Sequence, residues 1–504
     1  MATTLRVPMI VAGRNVDSEK TLRISSPWDD TPVAVVAEAS RIDIDTAFNA
    51  AEHGLESTAC LSRHARAVIL HRLAQAVEAR SDEFAQTLVL EVGKPVRDAR
   101  AEVTRTISTL EFAAEASRAH VGDMVPLDAM AGAEDRLGYT IPTPIGTVAA
   151  IPAVNFPLLI AAHKLAPALG AGCPVIVKPP DRAPLAILEL CRLAIESGWP
   201  RSAISVLPGG SEVGQALVRD ERVRLVSFTG STAVGKAIAG VAGLKRLIME
   251  LGSNAATIVA EDADLDLVTE RCTAGGFNVA GQSCISVQRV YVHESRYREL
   301  LDRLALAVSS LVAGDPMNEE TDVGPLIDDR AADRVETVIE DAINLGGELL
   351  IGGTRSGRVV DATVIAGLAP MMRLHREEVF GPVVGVAPYR ELDEAIRLAN
   401  DTPYGLQAGV FTNSLDKAAL LARRLNVGGV NINDVSNWRA DHMPYGGIKD
   451  SGLGKEGPVW AMREMTVMKM VTVRSTSIPE RQTTQSYDNQ MEGQIGEYHG
   501  RGDV

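Results

Sequence analysis

The sequence predicts an α/β protein built from more than one domain, on three observations. The chain has 504 residues, a length that usually folds as two or three domains. Hydrophobic residues make up 46% of it and charged residues 23%, which is typical of globular proteins with sizeable cores. From Ile145 onward, short β-branched runs that end near Pro or Gly alternate with helical segments, and this alternation predicts parallel sheets with crossover helices.

The predicted elements follow one another in four stretches. From about Asp43 to Ala116, apolar residues recur every three or four positions and predict helices. Strands are then predicted at GTVAAIPAV, PVIVKP, AISVLPG and VRLVSFTG, with helices such as FPLLIAAHKLAPALGAG between them. A second alternating block, from Cys272 to about Val430, includes the strands QRVYVHE and GPVVGVAPY. The last stretch, from about Ser475, is polar and is predicted to be a mobile tail.

Charge and cysteine content argue against several classes of protein. The formal net charge of −15 and the pI near 5.2 disfavour nucleic acid and anionic membrane as partners. The five cysteines show neither a CxxC pair nor zinc spacing, so we expect reduced thiols, no metal site and a cytoplasmic location. The N-terminus lacks the apolar region of a signal peptide, and no stretch approaches the roughly 18 apolar residues of a membrane span.

One cysteine, Cys284, lies among small and polar residues in AGQSCISVQRV, just ahead of a predicted strand. Two interpretations are open. The thiol is either a nucleophile or a small buried apolar group, because free cysteine is among the most buried residue types. The local sequence does not decide between them, and a reactive thiol needs partners elsewhere in the chain.

Two motifs are candidates for holding a nucleotide cofactor. In SFTGSTAVGK, a strand runs into Gly230 and a helix starts near Ser231, so free N–H groups and the positive end of the helix dipole favour a pyrophosphate. A plain strand-to-helix turn with a Ser cap is the alternative. In VIVKPPDRAP, Lys178 ends an apolar strand and Asp181 follows it, which suits the crevice at the carboxyl ends of parallel strands. The alternative is a lysine that extends into solvent.

Three further motifs carry amide or carboxylate groups. Asn155 in IPAVNFPLL follows a strand and precedes a helix, so it is either a helix cap or a donor into the crevice. Glu250 in LIMELGSNAA ends an apolar run, where a carboxylate is either a base with a raised pKa or a member of a salt bridge. In REEVFGPVV, Glu378 and Phe380 precede a Gly-Pro turn and are either site residues or a solvated charge beside a core ring.

Taken in order, the motifs NFP, VKP, FTGS, ELG, GQSC, EEVFGP and PYGGIKDSGLGKEG closely resemble the signature series of the NAD(P)-dependent aldehyde dehydrogenase superfamily. The resemblance spans about Val11 to Val473 and implies a Rossmann-like cofactor domain, a catalytic α/β domain and a small β oligomerisation flap. The implied domains are residues 1–120 and 142–251 with part of 445–468 for NAD(P) binding, 252–444 for catalysis, 121–141 and 469–475 for the flap, and 476–504 for the tail. A homodimer or homotetramer is expected.

The resemblance also implies a role for each matched residue. Cys284 is similar to the family's nucleophile, Glu250 to its general base and Asn155 to its oxyanion donor. The matched cofactor-binding residues are Lys178, Asp181, Gly230, Ser231, Glu378, Phe380, Pro152 and Leu251. Attack by the Cys284 thiolate on an aldehyde would give a thiohemiacetal. Transfer of a hydride from the thiohemiacetal to the nicotinamide would give a thioester, and water activated by Glu250 would hydrolyse the thioester to the acid.

Three other functions are open on such a sequence. A cysteine hydrolase would need a histidine base, and no matching Cys/His pairing is visible among the nine histidines. A CoA-acylating dehydrogenase would lack a carboxylate at Glu250, and a non-catalytic protein on the same fold would be expected to lose Cys284 or Glu250. Both residues are present, which favours hydrolysis by water.

Cofactor choice and substrate are less well determined. Asp181 repels a 2′-phosphate, which favours NAD, with NADP possible. The stretches EVTRTISTLEFAAEA and WRADHMPYGGIKDSG most resemble the branch with lactaldehyde, glycolaldehyde and phosphonoacetaldehyde dehydrogenases, which act on short polar or anionic aldehydes. The implied substrate-pocket residues are Arg105, Leu159, His163, Ser283, Ile285, Trp438 and Arg439. Arg105 is the expected cation for an anionic substrate, and a solvated helix face is its alternative.

Overall fold

A computed structural model describes residues 5–475 of the chain. The chain divides into two compact units, one of Met1–His120 with Pro144–Thr466 and one of Val121–Thr143 with Val467–Val504. The predicted tail, residues 476–504, lies outside the described residues. Between residues 5 and 475, no helix has both the length and the apolar character that a membrane crossing requires.

Helices account for the stretch predicted from about Asp43 to Ala116 and for most connections between strands. Their bounds are α1 Arg41–Ala59, α2 Arg63–Glu78, α3 Ser81–Val92, α4 Val96–Ala119, α5 Pro157–Ala171, α6 Leu185–Glu196, α7 Ser211–Arg219, α8 Thr232–Val241, α9 Leu265–Phe277, α10 Tyr297–Ser309, α11 Asp329–Asn344, α12 Arg373–Arg376, α13 Leu392–Asn400, α14 Leu415–Arg424 and α15 Pro458–Glu464. Four of these helices, α1 to α4, cover the predicted helical stretch.

The strands form two large sheets and three small ones. Their bounds are β1 Leu5–Val7, β2 Met9–Val11, β3 Arg14–Val16, β4 Thr21–Ser25, β5 Pro32–Ala37, β6 Met124–Val125, β7 Arg136–Pro144, β8 Thr147–Ile151, β9 Val175–Val177, β10 Ile204–Val206, β11 Val223–Thr229, β12 Arg246–Glu250, β13 Ala256–Val259, β14 Arg289–His293, β15 Glu348–Ile351, β16 Arg355–Ser356, β17 Val359–Val360, β18 Thr363–Ala366, β19 Val383–Tyr389, β20 Gln407–Phe411, β21 Gly429–Ile432, β22 Gly452–Leu453 and β23 Thr466–Arg474.

The first large sheet has eight strands in the order β22-β12-β11-β8-β9-β10-β2-β3. The five consecutive strands β12, β11, β8, β9 and β10 are parallel to one another. Their residues are mostly buried, which explains the nearly continuous apolar runs of the sequence. The strand order reverses between β8 and β11, which is where doubly wound sheets bind ligands at their carboxyl ends. The register pairs Ile151 with Phe228 and Thr229 with Glu250, so three strands end at the same edge.

The second large sheet has seven strands in the order β15-β18-β19-β14-β13-β20-β21, all parallel except β15. It encloses its own hydrophobic core, separate from that of the first sheet. These two parallel sheets with helical connections confirm the predicted α/β class. The domain boundaries given above stay a prediction.

The smaller unit contains the three-stranded sheet β23-β7-β6. Met124 and Val125 pair antiparallel with Tyr139 and Gly138. The side chain of Arg474 donates a hydrogen bond of 2.5 Å to Asp135 within this unit.

Candidate active site

A cavity of about 1050 Å³ in the larger unit brings together most of the residues that the sequence singles out. Eighteen catalytic, cofactor-binding and substrate-pocket residues are predicted from the sequence. Fifteen of them line the cavity, namely Arg105, Asn155, Leu159, His163, Gly230, Ser231, Glu250, Leu251, Ser283, Cys284, Ile285, Glu378, Phe380, Trp438 and Arg439. Lys178, Asp181 and Pro152 lie outside the lining. The cavity is large enough for a substrate and part of a cofactor.

The first large sheet supplies three groups to this cavity. Asn155 follows β8, Gly230 follows β11, and Glu250 is the last residue of β12. Because these parallel strands are in register and end at one edge, residues that are far apart in sequence converge there. The convergence lies at the reversal of strand order, as the physics of doubly wound sheets predicts.

The loop before β14 carries Cys284 into the cavity. Residues 279–281 are consecutive and left-handed, with φ between +51° and +67°. A β-branched residue rarely adopts that conformation, so Val279 is strained. The carboxylate of Asp98 stabilises the turn, because it accepts hydrogen bonds from Val279 N at 3.0 Å and from Asn278 Nδ2 at 2.8 Å.

Cys284 is partly exposed as a residue, and its sulfur lies 3.2 Å from the hydroxyl of Tyr445. Burial and the negative charges of Glu378 and Glu250 raise the pKa of the thiol to about 12, although the hydrogen bond with Tyr445 acts to lower it. The thiol is therefore neutral at rest. Tyr445 was assigned no role from the sequence, although it belongs to the PYGG motif.

Asn155 does not cap helix α5, which corrects one of its two interpretations. Phe156 is the residue at the N-cap position, and the Nδ2 of Asn155 donates to the carbonyl of Gln282 at 2.8 Å. An amide nitrogen has two hydrogens, so a second one remains to donate into the cavity. The Oδ1 atom is buried and accepts no hydrogen bond from any residue between 5 and 475.

Glu250 is 1% exposed, and neither carboxyl oxygen has a hydrogen-bond partner within the described chain. Burial and the negative charge of Glu456 raise its pKa well above the ordinary value, while Arg439 and Lys164 act in the opposite direction. Since no ion pair holds its carboxyl group, the salt-bridge interpretation of Glu250 is wrong. A buried carboxyl with a raised pKa is suited to proton transfer near neutral pH.

Behind Glu250 lies a buried network of charges that the sequence analysis missed. Glu456 accepts hydrogen bonds from Lys164 Nζ at 3.0 Å and from Arg439 Nη2 at 3.4 Å. Although burial acts to raise it, these two cations lower the pKa of Glu456 to about 2. A lysine inside the apolar helix α5 was the available signal, because an unpaired charge is rarely buried.

Arg105 lines the cavity but is neither a free cation nor a solvated charge on a helix face. Its Nη2 donates to Asp441 Oδ1 at 2.7 Å and its Nε donates to Asp441 Oδ2 at 3.3 Å. The same carboxylate lies 3.4 Å from His163 Nε2. Arg439 also donates to His163, at 3.1 Å. The interpretation of Arg105 as a solvated charge on a helix face is therefore wrong, because Asp441, 336 positions away, holds its guanidinium. Its role toward an anionic substrate stays a prediction.

The remaining pocket residues differ in burial. Leu159, His163, Ser283 and Ile285 are buried, whereas Trp438 is 47% exposed. Burial and the nearby Arg439 lower the pKa of His163 to about 4, although the hydrogen bond with Asp441 acts to raise it. His163 is therefore a neutral wall residue, and an anionic ligand would find no charge on it.

The cofactor motifs have a geometry that fits a dinucleotide. The side chain of Ser231 caps helix α8 by accepting from Val234 N, and the helix begins three residues after strand β11 ends. A Cβ on Gly235 would lie 2.4 Å from the Leu251 side chain, so a larger residue there would displace Leu251. Glu378 lies nearby and accepts from Ser253 N at 2.9 Å, and burial raises its pKa to about 7.

Lys178 and Asp181 lie together at the end of β9, where the Lys178 ammonium donates to Asp181 at 2.5 Å. The lysine side chain is 12% exposed and the aspartate side chain 45% exposed. Lys178 is therefore not simply extended into solvent. Phe380 lines the cavity with a φ of +50° and is partly exposed, so it is not a core ring.

The sequence profile of the aldehyde dehydrogenase family matches residues 15–471. The chain is 40% identical over 466 residues to a 3-sulfolactaldehyde dehydrogenase of Priestia aryabhattai, which covers 92% of this chain and 97% of that protein.

Two solved structures are similar in fold as well as in sequence. Aldehyde dehydrogenase 21 from Physcomitrella patens, in complex with its reaction product succinate, has a TM-score of 0.93 and 39% identity, and covers 95% of this chain and 100% of that one. A glyceraldehyde-3-phosphate dehydrogenase from Methanocaldococcus jannaschii, in complex with NADP, has a TM-score of 0.88 and 36% identity, and covers 91% of this chain and 100% of that one.

Proposed function

The chain belongs to the aldehyde dehydrogenase family and is an NAD(P)-dependent oxidoreductase, and from that premise we propose that Cys284, Glu250 and Asn155 carry out its reaction. The single observation that supports this best is their meeting in one cavity from three separate segments of the chain. The reaction oxidises an aldehyde to its carboxylic acid through a thioester on Cys284.

Cys284 attacks the aldehyde carbon as its thiolate, and the aldehyde oxygen becomes an oxyanion. The second Nδ2 hydrogen of Asn155 is free to donate to that oxygen, because its first is used on Gln282. The backbone N–H of Cys284 is the other donor. Removing one such donor typically reduces the rate by about 10²–10³.

Glu250 accepts a proton from the water that hydrolyses the thioester. Its raised pKa makes it a stronger base than an exposed carboxylate once it is ionised. Neither oxygen has a partner in residues 5–475, so neither is committed to another group of the protein. A CoA-acylating enzyme would not need this group.

An NAD(P) cofactor, when bound, supplies the hydride acceptor. We assign its pyrophosphate to Gly230 and Ser231 at the start of α8, its nicotinamide ribose to Glu378, and its adenosine ribose to Lys178 and Asp181. Phe380, Pro152 and Leu251 complete the proposed cofactor-binding set. The exposed carboxylate of Asp181 favours NAD, since it repels the 2′-phosphate of NADP.

A short aldehyde with an anionic or strongly polar end is the proposed substrate. Arg439 lines the cavity and carries a positive charge there. A cation beside the cavity favours an anionic substrate group, because hydrogen bonds between charged partners are stronger than neutral ones. Two of the similar proteins named above are a 3-sulfolactaldehyde dehydrogenase and an aldehyde dehydrogenase in complex with succinate, and both of these small molecules have an anionic end.

Self-association and a cytoplasmic location are also proposed. In the smaller unit, Val121, Met124, Leu137 and Ile141 each expose at least 40% of their surface. An apolar face of that kind favours a homodimer or homotetramer. Light scattering of wild type and of Leu137→Glu tests this, and an unchanged mass would contradict it.

The proposed function is tested by following NADH or NADPH formation with a short anionic aldehyde, with and without CoA. We expect turnover without CoA, and we expect none from Cys284→Ala, which should still bind the cofactor. Turnover that requires CoA, or a Cys284→Ala variant as active as wild type, would contradict the proposal.

A further inference from the structure

The hydroxyl of Tyr445 is the polar group that touches the Cys284 sulfur, at 3.2 Å. Tyr445 is 3% exposed, and this contact is the only hydrogen bond of its hydroxyl within residues 5–475. A buried phenol usually has a partner, and here that partner is the reacting atom itself. The mechanism described above gives this hydroxyl no role.

The position of the Tyr445 ring is fixed from three sides. Its backbone N–H donates to the carbonyl of Glu456 at 3.2 Å and its carbonyl accepts from Glu456 N at 2.6 Å. The guanidinium of Arg439 lies 3.8 Å from the ring centroid, in a cation–π contact. The ring also belongs to a small apolar cluster with Ile285 and Leu406. The hydroxyl is thereby held in one place while the sulfur is free to react.

The chemistry of the pair sets the direction of its hydrogen bond. A thiol is a weak donor, and a thiolate can only accept. Once Cys284 is ionised, Tyr445 must therefore be the donor, and a hydrogen bond to a charged acceptor is stronger than one to a neutral acceptor. The bond thus stabilises the thiolate more than the thiol. The positive charge of Arg439 against the ring acts in the same sense.

We propose that Tyr445 is a further catalytic residue of this enzyme, whose hydroxyl donates to the Cys284 sulfur, holds it in place and favours its ionised form. This inference rests on the proposed function, in which Cys284 is the nucleophile. The hydrogen bond with Tyr445 also acts to lower the pKa of a thiol that burial raises to about 12.

The test is the rate at which iodoacetamide alkylates Cys284 in wild type and in Tyr445→Phe. The rate is followed by mass spectrometry of the peptide that contains Cys284, because Cys60 is exposed and also reacts. Measurements at several pH values below the thiol pKa show whether the thiolate is the reacting species. Tyr297→Phe is the matched control, since its hydroxyl accepts from Gly367 N at 3.0 Å and lies outside the cavity lining.

We expect Tyr445→Phe to slow alkylation by roughly threefold to tenfold at each pH. The loss of a charged hydrogen bond reduces the thiolate fraction by about ten- to a hundredfold, and the higher nucleophilicity of the less acidic thiolate offsets about half of that on a logarithmic scale. Tyr297→Phe should react like wild type. Tyr445→Phe removes an atom beside the sulfur and can only open access to it. If Tyr445 acted only as a steric barrier, the substitution would therefore speed alkylation.

An unchanged or faster rate in Tyr445→Phe would overturn the inference. That result leaves the proposed function standing if Cys284→Ala is inactive. Conversely, a Cys284→Ala variant with full turnover would remove the proposed function whatever the alkylation rates are. The two failures are therefore distinguishable.

Discussion

The carboxylate of Asp441 holds the guanidinium of Arg105 through two hydrogen bonds, of 2.7 Å and 3.3 Å. Burial acts to raise the pKa of Asp441, but hydrogen bonds with His163 and Arg105 bring it well below its ordinary value. The positive charge of Arg105 is thus balanced before a substrate arrives. Asp441 fixes one edge of the guanidinium, and Arg105 lines the cavity.

Replacing Arg105 by Leu should raise the KM of an anionic short aldehyde by roughly tenfold to a hundredfold, because the substitution removes a charged hydrogen bond to the substrate. The increase should exceed that of a neutral aldehyde of equal length, because Asp441 then remains as an uncompensated negative charge. The double variant Arg105→Leu/Asp441→Asn should recover part of the loss. Steady-state kinetics with both substrates checks this, and equal effects on the two would assign Arg105 a purely structural role.

The pH dependence of turnover should follow the ionisation of Glu250. Only its carboxylate accepts a proton, so the rate of a hydrolysis-limited reaction should rise with pH through its raised pKa. Glu456→Gln removes a charge that raises this pKa and leaves the cations Lys164 and Arg439 in place. The acidic limb of the pH profile should therefore move to lower pH. A limb that stays in place or moves to higher pH would reject this coupling.

Stability should depend on a buried ion pair beside Asn155. Glu102 and Lys94 are both fully buried and paired, and Glu102 Oε1 also accepts from the backbone N–H groups of Leu158 and Leu159 at the start of α5. Glu102→Gln should lower the free energy of unfolding by about 3–5 kcal/mol, because it leaves a buried ammonium unpaired. Denaturant titration checks this value.

The control for that prediction is an exposed ion pair that has one member, Arg100, on the same helix as Glu102. Arg100 pairs with Glu319 at 2.9 Å, and both side chains are more than half exposed. Glu319→Gln should change the free energy of unfolding by less than about 1 kcal/mol. Equal effects of the two substitutions on the free energy of unfolding would show that burial does not make the Glu102 pair more important for stability.

Cofactor preference should depend on Asp181. Wild type should give the higher kcat/KM with NAD, and Asp181→Ser should narrow the gap to NADP by roughly threefold to tenfold, since an exposed charge acts through a high dielectric. The substitution also frees the Lys178 ammonium to meet a phosphate, which acts in the same direction. Asp82→Ser, an exposed carboxylate on α3, is the control. A wild type that prefers NADP would contradict the assignment.

The sequence was most informative where local pattern determines structure. The strands from Thr147 to Glu250 were predictable because each is a short apolar run that ends near Pro or Gly. The strands β1 to β5 were not predicted, because they depend on pairing with one another and with β10, which the fold determines.

Within the site, residues inside compact motifs were identified and residues defined by distant partners were not. Cys284, Glu250 and Asn155 lie in such motifs. Asp441 pairs with Arg105, 336 positions away, and Lys164 with Glu456, 292 positions away. No periodicity or spacing records such pairs, since the fold alone brings them together.

We propose that the reaction passes through a thioester on Cys284, which is hydrolysed by water that Glu250 activates. Rapid mixing of Glu250→Gln with NAD and an aldehyde, followed by mass spectrometry of the quenched enzyme, tests this sequence of steps. We expect a burst of about one NADH per site, an acyl adduct on the peptide that contains Cys284, and a steady rate reduced by about 10²-fold or more. An unchanged steady rate with no adduct on that peptide would contradict it.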